Sequence, residues 1–419
     1  MPVQLSSLWV LTAFLGLALT PAWGADPTGH AREEAERVLL RTVCKSPALR
    51  ESLVKETIEN RGEDRRASAI WDTDTACAQV DLPTIPVHDT ADPADSATHT
   101  DWVYDARWSP DGNMVVTAGR DGTVRIWDVA TGKTLRVIDI ARLPPLSRPR
   151  HGVFVRAARF IGDGSAIIVT ADHHPVRIFE VASGEPIAEV PYTHNDKSTD
   201  IPPRIEATKS GLVILAGRGS DIVVYDTKSK SERYRLPHSP NHLPVTAVFE
   251  PAGVFATTRP GRNSGRDRSV FVQVRKLDSG ELLWEGEAHG NFSADAMAFS
   301  QDGKDLAVTV EGKAFVFSLS ENRLAQTILL YPSFGHQNVL FTADGSRLVA
   351  GRRHPELWDI ATARRVHHFG PFSDLVHSVD ISPDGKYLLT SHIGSDARIW
   401  EVDTGIFFRR LGRDVYPAR

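Results

Sequence analysis

Cysteine and methionine are both scarce in this chain, with two of the first and three of the second among 419 residues. Neither cysteine has a second ligand at close spacing, which argues against a zinc site. A basic excess is missing as well: 48 Lys and Arg face 53 Asp and Glu, a formal net charge of −5. Nothing in that balance points to nucleic acid, so any electrostatic argument has to be local. Long apolar runs are absent apart from residues 8–19, well short of the roughly 20 residues that a membrane span needs. There is no Gly-x-Ser-x-Gly elbow, no His-Glu-x-x-His and no phosphate loop. His173-His174 and His367-His368 are adjacent pairs, which on a strand point to opposite faces and suit a shared metal poorly. No metal and no cofactor is expected.

What is present begins with the first 24 residues, which carry no charged side chain and continue past the apolar run to Pro21, Ala22 and Gly24. That pattern predicts an export signal at 1–24, cleaved after Gly24, and a periplasmic or secreted protein. In an oxidising compartment the even cysteine count predicts one Cys44–Cys77 disulfide, worth about 3–4 kcal/mol by chain entropy. Two buried thiols are the alternative. Residues 25–80 change period, with Ala35, Val38, Leu39, Thr42 and Val43 at helical spacing, then Leu49, Leu53, Val54 and Ile58. Ser46 before Pro47 fits a helix start, so a short helical extension is expected there. Residues 81–100, with Pro83, Pro86 and Pro93, read as a linker.

From residue 101 to 419 the chain repeats. The stretch 102–138 holds four short runs of β-branched and aromatic residues, closed by Asp111-Gly112, Asp121-Gly122 and Thr131-Gly132. Such dipeptides tolerate the positive φ of tight hairpins, so the stretch predicts a four-stranded antiparallel meander. Gly112 recurs as Gly164, Gly211, Gly253, Gly303, Gly345 and Gly385, at intervals of 40 to 52 residues. The third run recurs too, as TVRIWD from Thr123, PVRIFE from Pro175, DIVVYD from Asp221, VFVQVR from Val270, KAFVFS from Lys313, PELWD from Pro355 and DARIWE from Asp396. Units three and four are degenerate at the first turn, reading TKSG and EPAG.

On these motifs the chain resembles the WD-repeat β-propeller family, of a bacterial, exported kind. The resemblance implies an all-β fold of seven four-stranded blades over about residues 100–412. It also implies a hydrogen-bonded structural set in each blade: a His before the first strand, a Ser or Thr on the second, an Asp in the next turn, and the Trp. Unit one has all four as His99, Thr117, Asp121 and Trp127. Unit two has His151 and Thr170 with Phe179 for Trp, and unit seven has Ser391, Asp396 and Trp400 without the His. The ring can close with the last unit's own GIFFRRL from Gly405, or with an N-terminal strand at 79–87.

In a meander the turn between strands two and three lies at the same end as the connection into strand one, so seven such turns ring one face. The residues there are Arg120; His173 and His174; Arg218; Arg259, Arg262, Arg266 and Arg268; Arg352, Arg353 and His354; and His392. Unit four adds a longer turn at 260–268, with Gly261 and Gly265 for mobility. Arg grips carboxylates in a bidentate fork, so this ring is expected to hold a protein partner with an acidic surface, or another polyanion. The opposite face collects Asp111, Asp163, Asp302, Asp344 and Asp384. The sequence therefore reads as a non-enzymatic binding scaffold without a nucleic-acid partner. The alternative is an exported enzyme or cofactor carrier with its site in the central channel.

Overall fold

The computed structural model describes residues 98–146, 152–192, 202–217, 221–239, 242–264, 267–290, 294–330, 338–351, 355–370 and 375–411, with the backbone alone for 262–264, 267 and 268. The export signal, the helical extension, Cys44 and Cys77, most of the linker and the alternative closing strand at 79–87 lie outside the described residues.

The described strands form seven antiparallel sheets of four, each in simple chain order: blades one to seven at 103–139, 155–190, 204–236, 246–289, 296–329, 338–368 and 376–411. Local chemistry dictates the meander. In blade one, strands Val103–Trp108, Met114–Gly119, Thr123–Asp128 and Thr134–Asp139 are joined at the three turns read from the sequence. Gly122 has a φ of +81°, and a side chain there would press on the Ala141 methyl at 3.0 Å. The first turn is closed from within in four blades. Ser109, Ser300, Thr342 and Ser382 donate to Asp111, Asp302, Asp344 and Asp384 at 2.5, 2.8, 2.5 and 2.6 Å.

Of the two degenerate units, blade four makes good the turn of blade three. Blade three has no Asp in this turn, and Glu250 of blade four takes its place by accepting hydrogen bonds from the backbone N–H groups of Lys209 (2.6 Å) and Ser210 (2.7 Å). Glu250 itself opens a single 3-10 turn, Glu250–Ala252, where blade four departs from the repeat. The longer turn expected at 260–268 takes a regular form. Strands Val254–Ser264 and Asp267–Lys276 keep pairing out to Ser264 and Asp267, so this is a lengthened β-hairpin.

A blade cannot bury its two faces alone, and the core accordingly sits between blades. Each of seven apolar clusters is shared by two neighbours, as where Val116 and Ile126 of blade one meet Val155 and Phe160 of blade two. Trp127 fills the wedge between blades seven and one, against Leu389 and Ile399, and Trp400 fills that between six and seven. Both rings are buried, at 2% and 4% exposure. The ring closes with blade seven's own fourth strand, Phe407–Leu411, and the closing wedge has the same character as the others. Inner strands seal it: Ala106 N–H donates to Ser378 Oγ (3.0 Å) and Trp108 N–H to Asp380 (2.9 Å). Closure of this kind removes open sheet edges.

Candidate functional site

In blade one the residues of the structural set converge on Thr117. Its hydroxyl lies 2.7 Å from His99 Nε2 and accepts from Trp127 Nε1 at 2.8 Å, while His99 Nδ1 meets Asp121 at 3.0 Å. Burial works to raise Asp121, but hydrogen bonds from His99, Thr100 N–H and Thr123 outweigh it and hold the carboxyl well below its ordinary range. Blade seven reaches the same arrangement by another route. Trp400 Nε1 donates to Thr390 (3.0 Å), not to Ser391, and His392 supplies the imidazole from the end of the second strand, 2.8 Å from Thr390 Oγ1. Ser391 turns away to meet Ser378 at 3.0 Å.

The distinctive geometry lies on the inner strands. In blade one Val103 pairs with Gly119 and Asp105 with Ala118, so Tyr104 is an extra residue in a β-bulge. Blades two and seven repeat the irregularity at the same place, with Arg156 and His377 as the extra residues. The first strands of the other four blades pair without one. A bulge re-aims a side chain. Here three bulges in consecutive blades place His377, Tyr104 and Arg156 side by side at the mouth of the central channel. Tyr104 meets the His377 ring edge-on at 5.2 Å and carries the Arg156 guanidinium at 4.8 Å from its centroid. The ladder then gains one more bond beyond each bulge, from Arg120 N to Trp102 O (2.7 Å), Asp172 N to Phe154 O (2.9 Å) and Ile393 N to Leu375 O (3.2 Å). Trp102 and Phe154 thereby join the cluster, and Arg120 lies over both rings, at 4.7 and 5.0 Å. Arg156 is gripped by Asp172 through two hydrogen bonds, of 2.8 and 2.6 Å. Burial raises the Tyr104 phenol, which stays neutral at physiological pH.

Below the mouth, first-strand residues of all seven blades line a channel of about 900 Å³. A charged belt crosses it. Arg107 lies 3.2 Å from Asp105 and 3.8 Å from Asp380, and Arg159 pairs with Asp105 and stands 4.0 Å from Glu206. Burial pushes Asp380 and Glu206 above the usual carboxylate range, against the pull of the two arginines. Arg204 donates to the Asp295 carbonyl at 3.0 Å, and burial lowers its pKa against the pull of Asp295 and Glu206. No group of three His, Cys, Asp or Glu suited to a metal occurs among the described residues, and no helix there is long and apolar enough to cross a membrane.

Among the described residues, the members of the basic ring of turns occupy different settings. Arg120 reaches the channel mouth. His173 adopts a φ of +63° and serves its turn, while His174 is buried beside Arg177 at 3.2 Å. Arg259 lies over Phe271 and binds Glu285 at 2.9 Å. Arg262 and Arg268 stand on the lengthened hairpin of blade four. His392 is wholly buried in blade seven, which corrects its place on a binding rim. Arg218, Arg266, Arg352, Arg353 and His354 lie outside the described residues. The sequence reading missed Trp102, Tyr104, Phe154, Arg156 and His377. A signal for three of them exists: VYDA, VRAA and VHSV each set one bulky polar residue after the Val that opens an inner strand.

A family model described as "WD domain, G-beta repeat" matches residues 96–128 and 363–401, which fall on blade one and across blades six and seven. Two such repeats in a ring of seven four-stranded blades support placing the chain among the WD-repeat β-propellers. Among curated proteins it is similar to Protein HIR1 of Gibberella zeae, 26% identical over 190 residues that cover 41% of this chain and 17% of that protein. Protein HIR1 of Chaetomium globosum is 23% identical over 197 residues, with the same coverage of 41% and 17%. The match thus spans about a sixth of either relative. Both relatives are fungal, and neither gives support to a bacterial, exported kind.

Proposed function

We propose that the protein is a non-enzymatic scaffold that holds a protein partner at the channel mouth, where blades seven, one and two meet. The observation that carries this reading is the file of bulged residues His377, Tyr104 and Arg156. Three neighbouring blades give up a ladder position at one height, although the other four pair without doing so. The fold does not require that distortion, and bulges of this kind gather where a side chain must be aimed. Rings held partly exposed beside arginines are also the residue types that anchor protein interfaces. Export belongs to the proposal through residues 1–24 alone, and the acidic character of the partner through the basic residues of the same face.

A second reading, a small-ligand or catalytic site in the channel, draws on its volume of about 900 Å³. The belt weighs against it, since Arg107 and Arg159 are already committed to Asp105, Asp380 and Glu206.

The test is chemical crosslinking of the full chain in its native source, with the captured partner identified by mass spectrometry. Trp102→Ala with His377→Ala should abolish capture. Charge reversal at Arg218, Arg259 and Arg352 together should weaken it less. Capture that survives the mouth substitutions would overturn the reading.

A further inference from the structure

Arg120 differs from its arginine neighbours in how little of its hydrogen-bonding capacity is used. Arg156 spends Nε and Nη2 on Asp172, and Arg159 and Arg107 are committed to the belt. Among the described residues Arg120 has one ionic neighbour, Asp101, at 3.7 Å from Nε, beyond hydrogen-bond length, and both side chains are more than a third exposed. An exposed pair of that kind contributes about 0–1 kcal/mol and yields readily to a better acceptor. The guanidinium is nevertheless held in place. Trp102 and Phe154 cover it at 4.7 and 5.0 Å, and its own backbone N–H is bonded to Trp102 O at 2.7 Å. Phe154 is steadied in turn by Arg156, 5.3 Å from its centroid, and by the hydrogen bond from Asp172 N–H. A guanidinium fixed by ring faces keeps its N–H edge free and loses little entropy when that edge is used.

We infer that Arg120 is the anchor for a carboxylate side chain of an acidic peptide segment, seated at the channel mouth beside Trp102 and Phe154. This deepens the scaffold reading and rests on it. A carboxylate fits better than a phosphate monoester on two grounds. It is planar, and so pairs edge to edge with a guanidinium flanked by ring faces. Its single negative charge also matches the one fork left free, whereas a phosphate brings nearly two charges to a mouth where Asp172 has neutralised Arg156.

The test uses the full-length protein and a fluorescein-labelled pentaglutamate peptide, read by fluorescence anisotropy at low salt. Pentaglutamine and a phosphoserine peptide of equal length serve as competitors. Pentaglutamate should bind, pentaglutamine should not compete, and Arg120→Gln should weaken binding at least tenfold. Arg120→Lys should weaken it nearly as much, because a point charge cannot reproduce the fork. Arg142→Gln, a change at an exposed arginine that pairs with Asp139, should do nothing. The thermal midpoint of each variant, unchanged from the wild type, excludes loss of fold as the cause. Wild-type affinity in Arg120→Gln or Arg120→Lys would overturn the inference, and so would stronger competition by the phosphopeptide. If either occurs while Trp102→Ala with His377→Ala still releases the crosslinked partner, the anchor is wrong and the scaffold reading stands. If the partner is also retained, both fail.

Discussion

Arg156 and Tyr104 are the extra residues of β-bulges in neighbouring blades, and the guanidinium of the first rests 4.8 Å from the ring centroid of the second. Neither would meet the other in a regular ladder, because restoring the register by one residue sends each side chain to the opposite face of its strand. The contact therefore joins two local irregularities, and the mouth of the channel is built from them.

The blade-one hydrogen-bond set has a measurable weight. Trp127→Phe keeps most of the wedge but removes the donor to Thr117, and should cost about 1–2 kcal/mol. Trp127→Ala empties the site and should cost about 3–5 kcal/mol. Urea unfolding followed by circular dichroism checks both values. Equal costs for the two variants would mean that the indole N–H contributes all of the effect and that packing contributes nothing.

Closure between blades seven and one depends on Asp380 as a hydrogen-bond acceptor more than as a charge. Burial already raises its pKa, and its oxygen accepts from Trp108 N–H at 2.9 Å. Asp380→Asn retains an acceptor and should cost less than about 1 kcal/mol, whereas Asp380→Ala strands the Trp108 N–H and should cost about 2–3 kcal/mol. An equally large loss in both variants on thermal denaturation would show the ion pair with Arg107, which both remove, to be the stronger link.

Blade six carries a pH dependence. Glu356 is 2% exposed, and burial pushes it up to about 7 despite the hydrogen bond from Arg365. An acid whose folded pKa lies above its unfolded value binds its proton more tightly in the folded state. Its contribution to stability is therefore undiminished below the unfolded value of 4.5 and falls as pH rises through 7. Glu356→Gln should accordingly match the wild type near pH 4 and exceed it by about 1–3 kcal/mol at pH 8. A difference of equal size at both values would place its origin elsewhere than in titration.

Export and the disulfide are tested together by intact mass. Protein recovered from the envelope or medium of its native source should begin at Ala25 and weigh two hydrogens less than the reduced chain. A full-length N-terminus, or no mass change on reduction, contradicts the respective expectation.

The sequence by itself determined the repeat. Turn glycines such as Gly112 and Gly122, the Asp that closes the first turn in four of the blades and the aromatic of the third strand act within a few residues of one another, so blade number and strand order can be read without neighbours. Trp127 and Trp400 were legible as wedge residues for the same reason. What tertiary structure alone decided is which side chains meet. His392 resembles a surface turn residue until blade seven folds and places its ring against Thr390. Glu250 carries no motif, yet it completes a turn in the preceding blade because ring closure sets the two turns side by side. The mouth site depends on bulges whose register is fixed by pairing with a second strand, and on rings from three blades brought together around one axis. Which side chains of separate blades meet is a long-range matter, and a local pattern of residues does not fix it.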